Sequence, residues 1–155
     1  AGVRVDLIVR GICGLKPGIT GLSENVTVRS LLGRFLEHSR VCYFQNAPRH
    51  QRTYLGSPDW MPRNFFRRVE VAFPVEEEDQ EASIIQKLEG FLKDNEFATE
   101  LKGNGRYLKV ARRNRKAFSI QEHLISQSIE ESEREESEER LRRTSGKTEN
   151  QGKGN

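Results

Sequence analysis

Strands alternating with helices predict an α/β domain, with a largely parallel or mixed sheet and helices on its faces. Three observations carry this expectation: apolar, β-branched runs of strand length, amphipathic stretches between them, and Gly or Pro punctuation where they stop.

Val3, Val5, Leu7, Ile8 and Val9 form a nearly continuous apolar run that ends in Arg10-Gly11. Such a run closed by Gly reads as a buried strand. Residues 14–25 are broken by Gly14, Pro17, Gly18, Gly21 and Asn25 and read as a loop. A short extended piece at Val26–Val28 precedes Ser30, a residue that can cap a helix. Leu31, Leu32, Phe35 and Leu36 then share one helical face, so a helix is predicted that ends near His38. Val41–Phe44 is a second strand, residues 46–52 a polar loop, and Thr53–Leu55 a third strand stopped by Gly56-Ser57-Pro58. Val69–Phe73 is a fourth strand, ended by Pro74. An acidic first turn, Glu76 to Asp79, leads into Ile84, Ile85, Leu88, Phe91 and Leu92. Acids there oppose the positive end of the helix dipole, so this helix is well marked. Gly103-Asn104-Gly105 is a turn, and Tyr107, Leu108 and Val110 a short strand. From Ser119 the chain becomes a Glu/Ser/Arg run with few apolar residues beyond Leu124, and composition predicts disorder from Thr144.

Charge is distributed unevenly along the 155 residues. Residues 1–75 hold 11 Lys/Arg against 5 Asp/Glu, residues 76–118 hold 9 of each, and residues 119–155 hold 6 against 9. A basic first half suits an anionic ligand such as phosphate, nucleotide or nucleic acid; a solvated surface is the plainer alternative. Cys13 and Cys42 cannot make a disulfide scaffold, lack zinc-finger spacing, and read as reduced, buried thiols of a cytosolic protein. No run approaches the ~18 apolar residues of a membrane span, and no signal peptide is visible. The chain opens on Ala-Gly directly ahead of a strand, without a starting Met, and is expected to be a fragment.

Three clusters could hold chemistry: Ile8 to Gly11, Leu36 to Arg40, and Gly56 to Asn64. Arg10 stands at the carboxyl end of a strand, where ligands of open α/β sheets bind, and has no local partner in the sequence. His38 lies between a predicted helix and a strand. Beside phosphate an imidazole can donate a hydrogen bond, act as general acid, or attack as a nucleophile; the alternative is a surface His favoured by a helix C-terminus. Arg10, Arg40, Arg63, Arg67 and Arg68 are candidates to meet an anionic ligand, and Arg40, Arg63 and Arg67 could equally form ion pairs with Glu37, Asp59 or Glu70. Trp60 is expected to plug the core rather than stack on a base, and Asp59 to pair with Arg63 rather than bind a metal.

His38-Ser39-Arg40 followed by Gly56-Ser57-Pro58-Asp59 resembles the phospholipase D superfamily signature of His-x-Lys, Asp five residues on, and Gly-Ser-x-Asn. Arg40, Gln45 and Asp59 replace its Lys, Asp and Asn. A longer match is more specific. The segments VDLIVRGIC, LSENVTVRSLLGRFLEHSRV, YLGSPDWMPRN and RRVEVAFPV, in that order and spacing, resemble the C-terminal, phospholipase D-like domains of bacterial-type polyphosphate kinases. The resemblance runs from about Gly2 to about Leu124. It implies a phospholipase D-like mixed sheet flanked by helices over residues 1–124; composition adds a charged C-terminal helix and partly disordered tail over 125–155.

The resemblance implies reversible transfer of the terminal phosphate of ATP to polyphosphate through a phosphohistidine. His38 matches the family's second active-site histidine, Arg10 an arginine on the nucleotide phosphates, and Arg68 a further phosphate-contacting arginine. The phosphorylated histidine lies in a preceding domain, so neither His38, His50 nor His123 takes that role. Magnesium is implied, with its ligands outside this segment. Implied too are ATP, ADP and inorganic polyphosphate as ligands, the N-terminal domains of the same enzyme as partners, and a homo-oligomer. So is a cytoplasmic enzyme, free or held at a membrane within a complex, with no nucleic-acid partner. Departures from the family are Gln45-Asn46-Ala47-Pro48, where an acidic residue and Asn-Gly-Gly are usual, Pro58 for a small residue, and Phe66 for Asp.

Two other readings are a phospholipase D-type phosphodiesterase or nuclease, and a non-catalytic basic module that binds anions or nucleic acid. The kinase reading demands one arrangement above all: Arg10 and His38 must converge on one anionic pocket.

Overall fold

The computed structural model describes residues 2–148, with side chains as far as residue 143. Residues up to Phe118 form one compact unit and those from Ser119 a second, and each is described by itself.

The first unit contains two sheets. In the larger, the order is β1 (Val5–Ile8), β2 (Val26–Leu31), β6 (Ala98–Leu101), β7 (Tyr107–Lys109). Only β1 and β2 run parallel, with Val5 opposite Val26; the other two pairings are antiparallel, so the sheet is mixed. The smaller sheet is antiparallel throughout, in the order β3 (Val41–Tyr43), β4 (Thr53–Gly56), β5 (Ala72–Pro74). A 3-10 turn, Arg49–Gln51, bridges β3 and β4. Helix α1 (Pro62–Arg67) lies between β4 and β5, and α2 (Glu78–Lys93) precedes β6. The second unit is the single helix α3 (Ile120–Thr148).

The apolar core of the larger sheet is small, and it sits on the two inner strands: Val28 and Leu31 of β2, Ala98 and Leu101 of β6. This explains why the helix expected after Ser30 does not form. β1 pairs with β2 as far as Arg29 and β6 from Arg29 to Leu31, so pairing with β6 keeps the chain extended through Leu31. Thr99 Oγ1 also donates to the Ser30 carbonyl at 3.3 Å. Beyond it, Leu32, Phe35 and Leu36 are all exposed, and residues 32–40 have no regular structure. A short helix without a buried face gains no packing to offset its nucleation cost.

Other elements also differ from expectation. The strand expected from Val69 begins only at Ala72 and takes in Pro74, which an edge strand tolerates. The delay has a local cause: Glu70 is turned toward Ser57 and Asn64, and Ser57 N donates to Val71 O at 2.9 Å. Helix α1 and strand β6 were not anticipated. Pro62 opens α1 at its first position, where the missing N–H costs nothing. Trp60 does not plug the core. It is 80% exposed and makes an edge contact with Phe65, 6.2 Å between ring centroids. Cys13 and Cys42 are free and half-buried rather than buried.

The well-marked helix is present, with Glu78, Asp79 and Glu81 in its first turn and Lys93 in its last. Its exit is fixed by Asp94, whose Oδ1 accepts the backbone N–H groups of Glu96, Phe97 and Ala98 at 2.9–3.2 Å. In α3, Ser119 Oγ accepts Glu122 N, and ion pairs four residues apart, such as Glu139–Arg143 at 2.6 Å, lie along the surface. The helix runs to Thr148, past the Thr144 at which composition predicts disorder; the remainder of that expectation lies outside the described residues. Among the described residues no helix is long and apolar enough to cross a membrane.

Candidate active site

Parallel pairing of β1 with β2 sends both strands off the same edge of the larger sheet. Arg10 follows β1 there, and the irregular segment 32–40 follows β2. Arg10 reaches that segment: its Nη1 donates to the Glu37 carbonyl at 2.6 Å, one residue before His38. The partner is a backbone oxygen 27 residues away, so Arg10 has none nearby in the sequence. Nε and Nη2 of Arg10 have no hydrogen-bond partner among the described residues. That half of a planar fork can take an anion.

The segment then organises itself. Glu37 Oε1 accepts Ser39 N at 2.9 Å, and Arg40 Nη1 donates to the His38 carbonyl at 2.7 Å. The same Nη1 lies 2.6 Å from His38 Nδ1 and 3.3 Å from Nε2. Nη1 thus lies against the ring within reach of both nitrogens, and this contact selects neither tautomer of a neutral imidazole. His38 is exposed. A ring N–H there can donate to a phosphate oxygen, and Arg10 is anchored to the backbone of the preceding residue.

Arg40 is held in turn. Its Nε and Nη2 both bind Asp59 Oδ1, at 3.1 and 2.9 Å, while Arg63 approaches Asp59 Oδ2 only to 3.9 Å. Asp59 therefore pairs chiefly with Arg40, and with Arg63 more weakly than the four-residue spacing suggests. Neither Arg63 nor Arg67 reaches Glu70 in an ion pair among the described residues. Gly56 N donates to the Arg40 carbonyl at 3.0 Å, which ties the end of β4 to the His38 segment. A Cβ at Gly56 would lie 3.2 Å from both the Val71 carbonyl oxygen and Pro58 Cδ, a fit that a larger residue would tighten.

The Ser57 hydroxyl is committed elsewhere. It donates to Glu70 Oε2 and accepts Val71 N at 3.1 Å, while Asn64 Nδ2 donates to Glu70 Oε1 at 2.7 Å. These hydrogen bonds, Ser57 first and Asn64 second, hold the Glu70 carboxyl below its ordinary value. In a phosphodiesterase of the phospholipase D type the Gly-Ser hydroxyl would face phosphate; here it braces a turn. Glu70 is the member that the sequence reading missed. It lies 13 residues from Ser57, and no local pattern joins the two. Arg68 caps the end of α1 and is exposed, two residues from Glu70, whose carboxyl feels its charge. Arg10 is bonded to the backbone of the residue before His38, and no hydrogen bond joins the two side chains among the described residues. Arg68 reaches neither of them; its charge acts on Glu70.

Among the described residues no three His, Cys, Asp or Glu side chains group as metal ligands. Asp59 is engaged by Arg40, and Glu70 by Ser57 and Asn64. These residues do not fit a magnesium site, and no step below runs through one. Burial pushes the Cys42 thiol up, away from the reactive thiolate.

Comparison with known proteins adds the remaining finding. Residues 1–121 match the family described as polyphosphate kinase C-terminal domain 2. A polyphosphate kinase of Paraburkholderia phytofirmans is 55% identical over 108 residues, covering 69% of this chain and 16% of that protein. One of Pseudomonas putida is 48% identical over 126 residues, covering 81% and 17%. The crystal structure of polyphosphate kinase from Porphyromonas gingivalis superposes with a TM-score of 0.77 at 34% identity, covering 85% of this chain and 20% of that one.

Proposed function

Because the chain belongs to the polyphosphate kinase family through its C-terminal domain, we propose that it serves as the segment of such a kinase that grips ATP and polyphosphate. The chain spans about a sixth of the length of the curated relatives it matches, so the rest of the reaction falls to other domains. The reaction is reversible transfer of the terminal phosphate of ATP to polyphosphate, through a phosphohistidine carried by a preceding domain. In this reading His38 hydrogen-bonds a non-bridging oxygen of the transferred group or protonates the departing one. Arg10 neutralises the nucleotide phosphates, and Arg68 meets phosphate further along.

One observation supports the reading: the hydrogen bond from Arg10 to the Glu37 carbonyl ties the guanidinium to the backbone one residue before His38, at the carboxyl edge of the sheet. Phosphoryl transfer needs positioning and charge neutralisation more than covalent help, and an arginine with a free flank beside an exposed imidazole supplies both. Magnesium, in this reading, comes with the nucleotide or with ligands outside this segment.

The test replaces the corresponding segment of the Pseudomonas putida kinase with this chain. The hybrid is expected to make polyphosphate from ATP. His38→Ala and Arg10→Ala are each expected to lower kcat/KM by roughly 100-fold or more, as for loss of a transition-state contact. The isolated chain is expected to be inactive. A fully active His38→Ala hybrid, or phosphohistidine formation by the chain alone, would overturn the reading.

A further inference from the structure

The equal charge counts of residues 76–118 conceal a sharp division. Residues 102–118 hold seven Lys/Arg and no Asp or Glu. Five of these, Lys109, Arg112, Arg113, Arg115 and Lys116, end β7 or follow it. Strand β7 is antiparallel to β6, which is antiparallel to β2, so β7 runs in the direction of β1 and β2. The basic loop therefore leaves the larger sheet by the same edge as Arg10 and the His38 segment. Three interstrand spacings separate β1 from β7 along that edge, about 14 Å.

The loop is built rather than slack. Arg115 N donates to Arg112 O at 2.9 Å, and the Arg115 guanidinium donates to the Arg112 and Ala111 carbonyls. Its far end is clamped by Asn95, 2% exposed, which donates to Lys116 O and accepts Phe118 N, both at 3.0 Å. Arg112 is paired with Glu96. Between these fixed points, Arg113 and Asn114 have φ of +43° and +64°. Two successive positive φ values in a four-residue turn suit Asn or Gly; an arginine there is strained. Arg113, Lys109 and Lys116 are exposed and have no side-chain partner among the described residues.

We propose that the 109–116 loop is a second anion-binding element of this domain, which holds the inorganic polyphosphate chain about 14 Å along the sheet edge from Arg10. The proposal rests on the kinase reading for its choice of ligand. A linear polyanion with one charge per unit can bridge the two basic points, and a nucleotide triphosphate cannot. The strain at Arg113 keeps a charge at the tip of a rigid turn, where a glycine would be more comfortable.

The experiment measures binding of long-chain polyphosphate, tripolyphosphate and duplex DNA to the 155-residue chain, at two salt concentrations. Arg113→Gly with Lys116→Gln is expected to weaken long-chain polyphosphate binding roughly ten-fold and flatten its salt dependence. Tripolyphosphate, shorter than the edge, is expected to bind as before. The double variant is expected to melt no lower than the parent, because glycine relieves the turn. A purely structural role for Arg113 would lower stability and binding together. Lys116→Gln alone leaves the turn untouched and reports on charge if the double variant unfolds. Unchanged long-chain affinity in both variants, or equal binding and equal loss for duplex DNA, would overturn the proposal. Failure of the kinase reading looks different: Arg10→Ala would leave tripolyphosphate binding intact, whatever the loop variants do.

Discussion

Arg52 and Arg40 each grip a carboxylate with two nitrogens, but one grip is closed and the other open. Arg52 Nε and Nη2 take the two oxygens of Glu81, at 3.2 and 2.6 Å, and Thr53 Oγ1 fills the remaining site at 2.7 Å. Glu81 is 3% exposed, and the cluster fastens α2 to the smaller sheet. Arg40 sends both Nε and Nη2 to one oxygen of Asp59, stays half-exposed, and turns Nη1 onto His38. The same chemistry thus does two tasks. Where the donors and acceptors close on each other, the pair holds the fold. Where one end is left over, it orients a side chain that faces solvent.

The largest effect expected follows from the closed pair. Removing the Glu81 charge leaves a half-buried Arg52 without its carboxylate beside a buried Thr53, which is worse than losing both members of the pair. Glu81→Gln is expected to lower Tm by on the order of 10 °C, and circular dichroism melts will measure it. The pH dependence has a definite sign. Hydrogen bonds from Arg52 first, and Thr53 second, hold the Glu81 carboxyl at about 2 against an ordinary 4.5. A carboxylate depressed in the folded state contributes stability that is present above its unfolded pKa and fades as pH falls toward the folded one. Tm is therefore expected to drop between about pH 4.5 and about pH 2. Glu81→Gln should flatten that drop; an unaltered slope would assign the acid sensitivity to other carboxylates, Glu70 first.

The open pair should trade stability for function in the opposite ratio. In the hybrid kinase, Arg40→Lys keeps the charge but loses the planar fork, so it cannot hold Asp59 and His38 together. A kcat lower by roughly 10–100-fold is expected, with Tm close to the parent. The nitrogen chemical shifts of His38 in the isolated chain supply a second readout. Ring shifts that do not respond to Arg40→Lys would break the comparison, even if activity fell.

The legible parts of this fold were those with local causes. β1 announced itself through five apolar residues ahead of Arg10-Gly11, and α2 through its acidic first turn. What escaped was decided by distant pairing. The periodicity of Leu31, Leu32, Phe35 and Leu36 suits a helix, but pairing with β6 carries the chain past Ser30 as a strand. Strand β6 was missed because Ala98–Leu101 mixes apolar and polar residues at the ends of two well-marked elements. At the site, the residue types at positions 10, 38 and 40 were visible, and the topology that joins them was not. Arg10's partner is a carbonyl, which no side-chain pattern can reveal. The basic loop was lost to averaging, since counting 76–118 as one block cancels the acids of α2 against it.

The smallest expected effect is also the sharpest check on the open pair. Asp59 faces two arginines, and sequence spacing favours Arg63, four residues away on the chain. Geometry favours Arg40: two contacts near 3 Å against one of 3.9 Å, with Arg63 mostly exposed. An exposed pair at that distance is screened and entropically costly, so Arg63→Ala should change stability by no more than about 0.5 kcal/mol. It should leave His38 and the hybrid's kcat as they were. Arg40→Ala, by contrast, frees Asp59, the ring and the His38 carbonyl at once. Should the two substitutions cost the same in kcat, Asp59 would be acting as a diffuse negative charge between two cations. The orientation of His38 would then need a cause other than the Arg40 fork.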